Sequence, residues 1–272
     1  MAKYFTPKGG LPPQSKKADD KAIFTNAYVL IPNSVMSDIV TSYFPFWEKT
    51  RAWVLARPLS GFAETFSQYI MEVESNGGSD NPEPDKKSQG FIFVTCGELE
   101  LIIDGKAHKM SEGGYAYISP SSDWRVKNSS AENVSFHWIR KRYKKIKGIE
   151  IPKSFVTNEK NIEPITMPNT DGKWSTTRFV DPKDMSHDAH VNIVNFIGGG
   201  SIPFAETHVM EHGLFVLEGK AKYRLNENWV DVEAGDFMWL RAFCPQACIV
   251  ENGVNFRYLL YKDVNRHMPL TI

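Results

Sequence analysis

The chain has 272 residues, enough for one large or two smaller domains, and its 32 basic and 32 acidic side chains balance to a formal charge of zero. That balance excludes the strong basic field of a nucleic-acid binder, and no apolar run reaches membrane-spanning length. Three cysteines, Cys96, Cys244 and Cys248, lack Cys-x-x-Cys spacing, which excludes a disulfide framework and predicts a cytoplasmic protein in a reducing compartment.

In chain order, residues 1–20 are polar and rich in Gly and Pro and predict a mobile arm or a strand lent to a neighbour. Residues 21–150 break into short apolar or alternating runs, among them Phe91–Val94, Leu99–Ile103 and Tyr115–Ile118, bounded by turn residues. These are strand signals. The basic run Arg140–Lys147 reads as a solvated linker, and the charged, Pro-containing stretch 151–185 as a linker and packing segment. Strand signals resume in 186–272 at Val191–Phe196, Leu214–Leu217 and Phe256–Tyr261. With no long amphipathic helix in view, the fold class is all-β.

A repeat runs through this layout. Gly97–Gly114 and Gly219–Gly235 each read as glycine turn, strand, polar hairpin turn, strand and Gly-x turn, differing by one residue at the hairpin. Two copies of one β-unit predict two tandem β domains, over 21–150 and 186–272.

The second copy carries the candidate chemistry. Glu206 and His208 lie two apart, so on a strand they would share a face; His212 follows four residues on, after a Val-Met-Glu corner. Gln246 lies beyond the Gly235-Asp236 turn. Two imidazoles, a carboxylate and an amide oxygen suit a catalytic divalent metal, although two histidines can also neighbour each other by chance. Ligand type alone is compatible with Mn²⁺, Fe²⁺ or Zn²⁺. Cys244 and Cys248 flank Gln246 and read as packing residues. Glu211, at odd spacing to His212, is expected to point outward, and His187 and His190 to take surface or packing roles.

The pattern Gly200-(x)5-Glu206-x-His208-(x)3-His212-(x)6-Gly219 resembles the first cupin motif with permuted ligand types. Counted from Gly235, Arg241 falls on the proline of the second cupin motif and Gln246 on its histidine ligand. The chain therefore resembles a bicupin, two cupin β-barrels in tandem. In the first copy the ligand positions read Pro84, Lys86, Gly90 and Arg125, so that barrel is expected to be metal-free and structural.

A closer resemblance runs from Gly200 to Arg266, through ETHVMEHGLFVLEG, Asn228-Trp229, Ala234-Gly235-Asp236, Pro245-Gln246 and the run from Tyr258 to Arg266. These segments are similar to the (S)-ureidoglycine aminohydrolase family, manganese-dependent bicupins of allantoin degradation; before Gly90 the likeness rests on general layout. The resemblance implies that Glu206, His208, His212 and Gln246 bind Mn²⁺, and that Glu206, Tyr223, Tyr258 and Lys262 contact a small-molecule substrate, with Tyr258 and Lys262 catalytic. It also implies a homo-oligomer, with no nucleic-acid or membrane partner. The even spacing of Tyr258 and Lys262 would turn both into the barrel. Two rival functions remain on the same scaffold: another metal-dependent cupin enzyme such as a dioxygenase or isomerase, and a non-enzymatic metabolite-binding cupin.

Overall fold

The computed structural model describes residues 4–5, 22–36, 41–264 and 266. Most of the expected N-terminal arm, and His267, lie outside the described residues. In chain order the strands are β1 (Ile23–Phe24), β2 (Tyr28–Ile31), β3 (Thr41–Ser42), β4 (Glu48–Ala56), β5 (Ser67–Ser79), β6 (Ser88–Cys96) and β7 (Glu98–Ile103). Then come β8 (Lys106–Ser111), β9 (Gly114–Ile118), β10 (Trp124–Lys127), β11 (Val134–Arg142), β12 (Phe155–Asn158), β13 (Ile165–Thr166) and β14 (Trp174–Arg178). The last are β15 (Ala189–Phe196), β16 (Ser201–Glu206), β17 (His212–Leu225), β18 (Asn228–Glu233), β19 (Phe237–Leu240), β20 (Gln246–Ile249) and β21 (Phe256–Asp263). The described helical content is three 3-10 turns, and none is long and apolar enough to cross a membrane. The fold is all-β.

Two barrel-like sheets follow the repeat, but sheet membership crosses sequence order. The first hairpin, β1–β2, joins the second sheet through β2 and β19, with Phe237 opposite Ile31. Within 151–185, β12 pairs with β9 of the first sheet, whereas β13 and β14 extend the second sheet beside β15. Arg140, Lys141 and Arg142 do not behave as a solvated linker. They end β11 and pair with Glu83, Asp188 and Asp85, because neighbouring loops present carboxylates to them.

Both faces of the central strands are covered, which explains their unbroken apolar runs. Ile92 and Val94 enter the first barrel, while Phe91 and Phe93 enter a core between the barrels. The second barrel divides the same way, with Leu214, Val216 and Tyr258 inside, and Phe215, Leu217, Leu259 and Tyr261 between. Each barrel turns on one glycine. A Cβ at Gly219 (φ +79°) would lie 1.7 Å from Asn255 O, and one at Gly97 (φ +81°) 2.8 Å from Asn133 O, so only glycine lets the strands pass. At Gly219 this coincides with a register shift between Val216 and Glu218 that bends β17 from one part of its sheet into the other.

Candidate active site

The second barrel's open end gathers the predicted ligands from three strands and the loop between two of them. β16 leaves regular register after Ile202, bulges through exposed Pro203, Phe204 and Ala205, and returns with Glu206 opposite Gln246 of β20. Gln246 Nε2 donates to Glu206 Oε1 at 3.3 Å. β16 stops there, so His208 stands on a loop and not, as the spacing predicts, on a shared strand face. The loop instead brings it round: His208 O accepts from Phe243 N at 2.6 Å, and His208 Nε2 lies 3.4 Å from Glu206 Oε1. His212 opens β17, its ring 5.0 Å from that of His208.

His212 is buried, and its Nε2 meets no hydrogen-bond partner. Burial, reinforced by His208 and Lys262, pushes its pKa down to about 3, so the imidazole is neutral at physiological pH. A neutral imidazole with an open nitrogen, beside a carboxylate, a second imidazole and an amide oxygen, is a donor set that fits a divalent cation. Among the described residues no three His, Cys, Asp or Glu side chains are already drawn together as a metal cage. Glu206 here turns to His208 and Gln246.

Besides Glu206, the substrate-contact candidates Tyr223, Tyr258 and Lys262 line the wall below. Tyr223 donates to Gln246 Oε1 at 2.8 Å, fixing which way that amide points. Tyr258 packs edge-on to Tyr223 at 6.1 Å. Burial raises the pKa of both phenols, which keeps them protonated as donors. Lys262 stands opposite His212 on one side and His190 on the other. Burial first, and then Arg178, lower its pKa, while Glu206 and Asp263 oppose the shift. Tyr258 and Lys262 share the barrel-facing side of β21 with no register break between them.

Glu211 corrects the expectation of an outward residue. It is buried between the barrels and accepts from Glu64 N (2.9 Å), Thr65 N (2.6 Å), Thr65 Oγ1 and Trp239 Nε1 (2.9 Å). Its own N–H donates to Asp263 Oδ1 at 3.0 Å. Odd spacing does turn it away from the His212 face, but the opposite face looks onto the first barrel and not onto solvent. The signal for this was present: both faces of the adjoining strands are apolar. His187 and His190 are buried, and His187 packs edge-on against Tyr117 at 4.6 Å.

In the first barrel the register also revises one ligand-equivalent position. Trp124 lies opposite Ile103 as Gln246 lies opposite Leu225, so Trp124 takes the place assigned to Arg125, which is exposed. The turns before β10 and β20 are both five residues long, and the hairpin turns match as well. The glycine equivalent to Gly235 is the left-handed Gly113, so the count from Gly114 runs one residue too far and the two units do not differ at the hairpin. A cleft of 470 Å³ along Lys220, Asp231 and Glu251 lies elsewhere on the second barrel, and none of the seven candidate residues lines it.

Residues 69–140 match the cupin domain family, a match that falls on the first barrel. Over 246 residues the chain is 30% identical to the (S)-ureidoglycine aminohydrolase of Escherichia coli K12, covering 90% of this chain and 91% of that protein. A crystal structure of a Pseudomonas aeruginosa protein named glyoxylate-induced aligns over all of both chains with a TM-score of 0.92 and 61% identity. A salicylate 1,2-dioxygenase from Pseudaminobacter salicylatoxidans aligns with a TM-score of 0.65 at 14% identity over 93% of this chain and 89% of that one, a likeness of fold alone.

Proposed function

As the chain belongs to the (S)-ureidoglycine aminohydrolase family, we propose that it hydrolyses (S)-2-ureidoglycine to (S)-ureidoglycolate and ammonia, within purine catabolism in the cytoplasm. The observation that carries this reading is 30% identity over 246 residues, 90% of the chain. Three unpaired thiols support the reducing compartment. A homo-oligomer is the expected assembly.

In the reaction a water oxygen replaces the amine on the central carbon, and the amine leaves as ammonia with a proton supplied to it. Glu206, His208, His212 and Gln246 would hold a divalent metal, Mn²⁺ being the expected ion and Fe²⁺ or Zn²⁺ compatible with the donor set. When bound, it supplies a Lewis acid that polarises water and substrate near neutral pH. Lys262, its ammonium disfavoured by burial and Arg178, is suited to give a proton to the leaving amine and regain one from water. Tyr258 offers a protonated phenol to a substrate oxygen, and Tyr223 keeps Gln246 oriented.

The test is ammonia release from freshly generated ureidoglycine, using metal-stripped protein with and without Mn²⁺, beside His208→Ala. Release above the spontaneous rate that requires metal and His208 is the expected result. Metal binding with ammonia release at the spontaneous rate would overturn the substrate assignment.

A further inference from the structure

The second sheet carries a row of groups of which the predicted site leaves two, Arg178 and His190, unused. His190 on β15 lies opposite Lys262 on β21, and Lys262 lies opposite His212 on β17. Directly opposed residues put their Cβ atoms about 5 Å apart on one face of the sheet. Arg178 ends β14 opposite Asn192, two residues along β15 from His190, so it shares that face as the diagonal neighbour. Arg178, His190 and Lys262 thus lie side by side on the face that carries His212.

Burial pushes the His190 pKa down to about 4, so it is an uncharged donor, and the two cations of the row are left without a counter-ion among the described residues. The Arg178 Nε and the His190 Nε2 are buried without hydrogen-bond partners. Among the described residues, neither Arg178 nor Lys262 forms an ion pair with a carboxylate. The acids that come near Lys262 are engaged elsewhere, Glu206 with His208 and Gln246, and Asp263 with Glu211 N. Arg178 disfavours added positive charge at both Lys262 and His190, in keeping with its diagonal place in the row. Burying cationic groups together without an anion is costly, and the cost is removed when a ligand brings one.

We propose that Arg178 and His190 complete, with Lys262, a cradle for the α-carboxylate of the substrate. Arg178 supplies a planar pair of donors suited to a carboxylate, Lys262 a point charge, and His190 an Nε2 hydrogen bond. The ligand class is a small 2-ureido carboxylate whose charged end lies against β14 and β15 and whose reacting carbon lies toward His212. This assignment rests on the aminohydrolase reading for the identity of the substrate but not for the existence of the cradle.

The test compares ureidoacetate, which lacks the leaving amine and is inert, with its neutral amide, ureidoacetamide. Affinities are measured by calorimetry on metal-stripped and Mn²⁺-loaded protein, for wild type, Arg178→Met and Arg178→Lys, with circular dichroism to verify folding. Wild type is expected to prefer the carboxylate by about tenfold or more, Arg178→Met to lose that preference, and Arg178→Lys to keep part of it. With ureidoglycine, Arg178→Met should raise KM and lower kcat/KM, because the substrate carboxylate loses its paired donors. Equal affinity of wild type for acid and amide, a measurement that needs no variant, would overturn the cradle. So would an Arg178→Met protein that is folded and keeps the preference. If wild type releases no ammonia from ureidoglycine yet prefers the acid through Arg178, the substrate reading fails and the cradle stands.

Discussion

Gly90 faces Arg140 across a strand pair in the first barrel, and His212 faces Lys262 at the matching place in the second. The surrounding backbone is alike, down to the left-handed glycine at the matching place, Gly97 after β6 and Gly219 within β17. The interiors differ. In the first barrel Trp138 occupies the space beside Gly90, where a Cβ would meet its indole nitrogen at 3.6 Å, and Trp124 stands where the second barrel has Gln246. The two indoles meet edge-on at 5.9 Å, and Arg140 is neutralised by Glu83 at 2.5 Å. Among the described residues, the second barrel keeps its equivalent lysine without an ion pair and its histidine nitrogen open. One β-unit thus serves as a packed core or as a site according to a few inward side chains.

The comparison breaks most sharply at the paired cations. Lys262→Met is expected to lower kcat/KM about 10²- to 10⁴-fold, the range for loss of a positioned proton donor, while Arg140→Met leaves it within about twofold. Steady-state ammonia release measures both. Indole removal should reverse the pattern: Trp138→Ala is expected to cost about 3–5 kcal/mol in urea unfolding, with activity per folded molecule unchanged.

The barrels are not independent, and Glu211 sharpens that point. Three N–H groups and a hydroxyl, from Glu64, Thr65 and Trp239, converge on its carboxylate next to His212. Glu211→Ala is expected to cost about 1–3 kcal/mol for the donors left unsatisfied and to weaken Mn²⁺ binding about 10-fold or more, because the ligand loop loses its hold on the first barrel. A metal affinity equal to wild type would restrict Glu211 to a packing role. Unfolding curves and a metal titration on the same sample separate the two.

The smallest effect concerns acid. His137 lies between the barrels against Phe215, with both ring nitrogens unpartnered, and burial pushes its pKa down to about 3. Below its ordinary pKa near 6.5 the unfolded chain binds a proton that the folded one refuses, so stability is full above about pH 6.5 and falls as pH drops toward 3. The slope from this one residue approaches about 1.4 kcal/mol per pH unit. His137→Leu should flatten the acid limb of stability against pH by that amount.

Much of this was legible in the residues. Apolar runs such as Phe91–Val94 marked the strands, and the Gly97 and Gly219 units marked the repeat. The types and intervals of Glu206, His208, His212 and Gln246 pointed to one end of one barrel. What the chain did not disclose depends on pairing between distant segments. Nothing local in Tyr28–Ile31 says that it will hydrogen-bond to Phe237–Leu240, nor in Phe155–Asn158 that it returns to the first sheet. Parity along a strand gave the face of Glu211 correctly but not what that face meets. Arg178 and His190 were invisible as neighbours of Lys262 until the register of β14, β15 and β21 brought them into one row.

The most direct test of the contrast between the barrels is a Mn²⁺ titration of the metal-stripped chain, with free Mn²⁺ read by electron paramagnetic resonance, for wild type and His212→Ala. One tight ion per chain in wild type and none in the variant is the predicted result. Retention of a tight ion by folded His212→Ala, or two tight ions per wild-type chain, would contradict a single metal site in the second barrel.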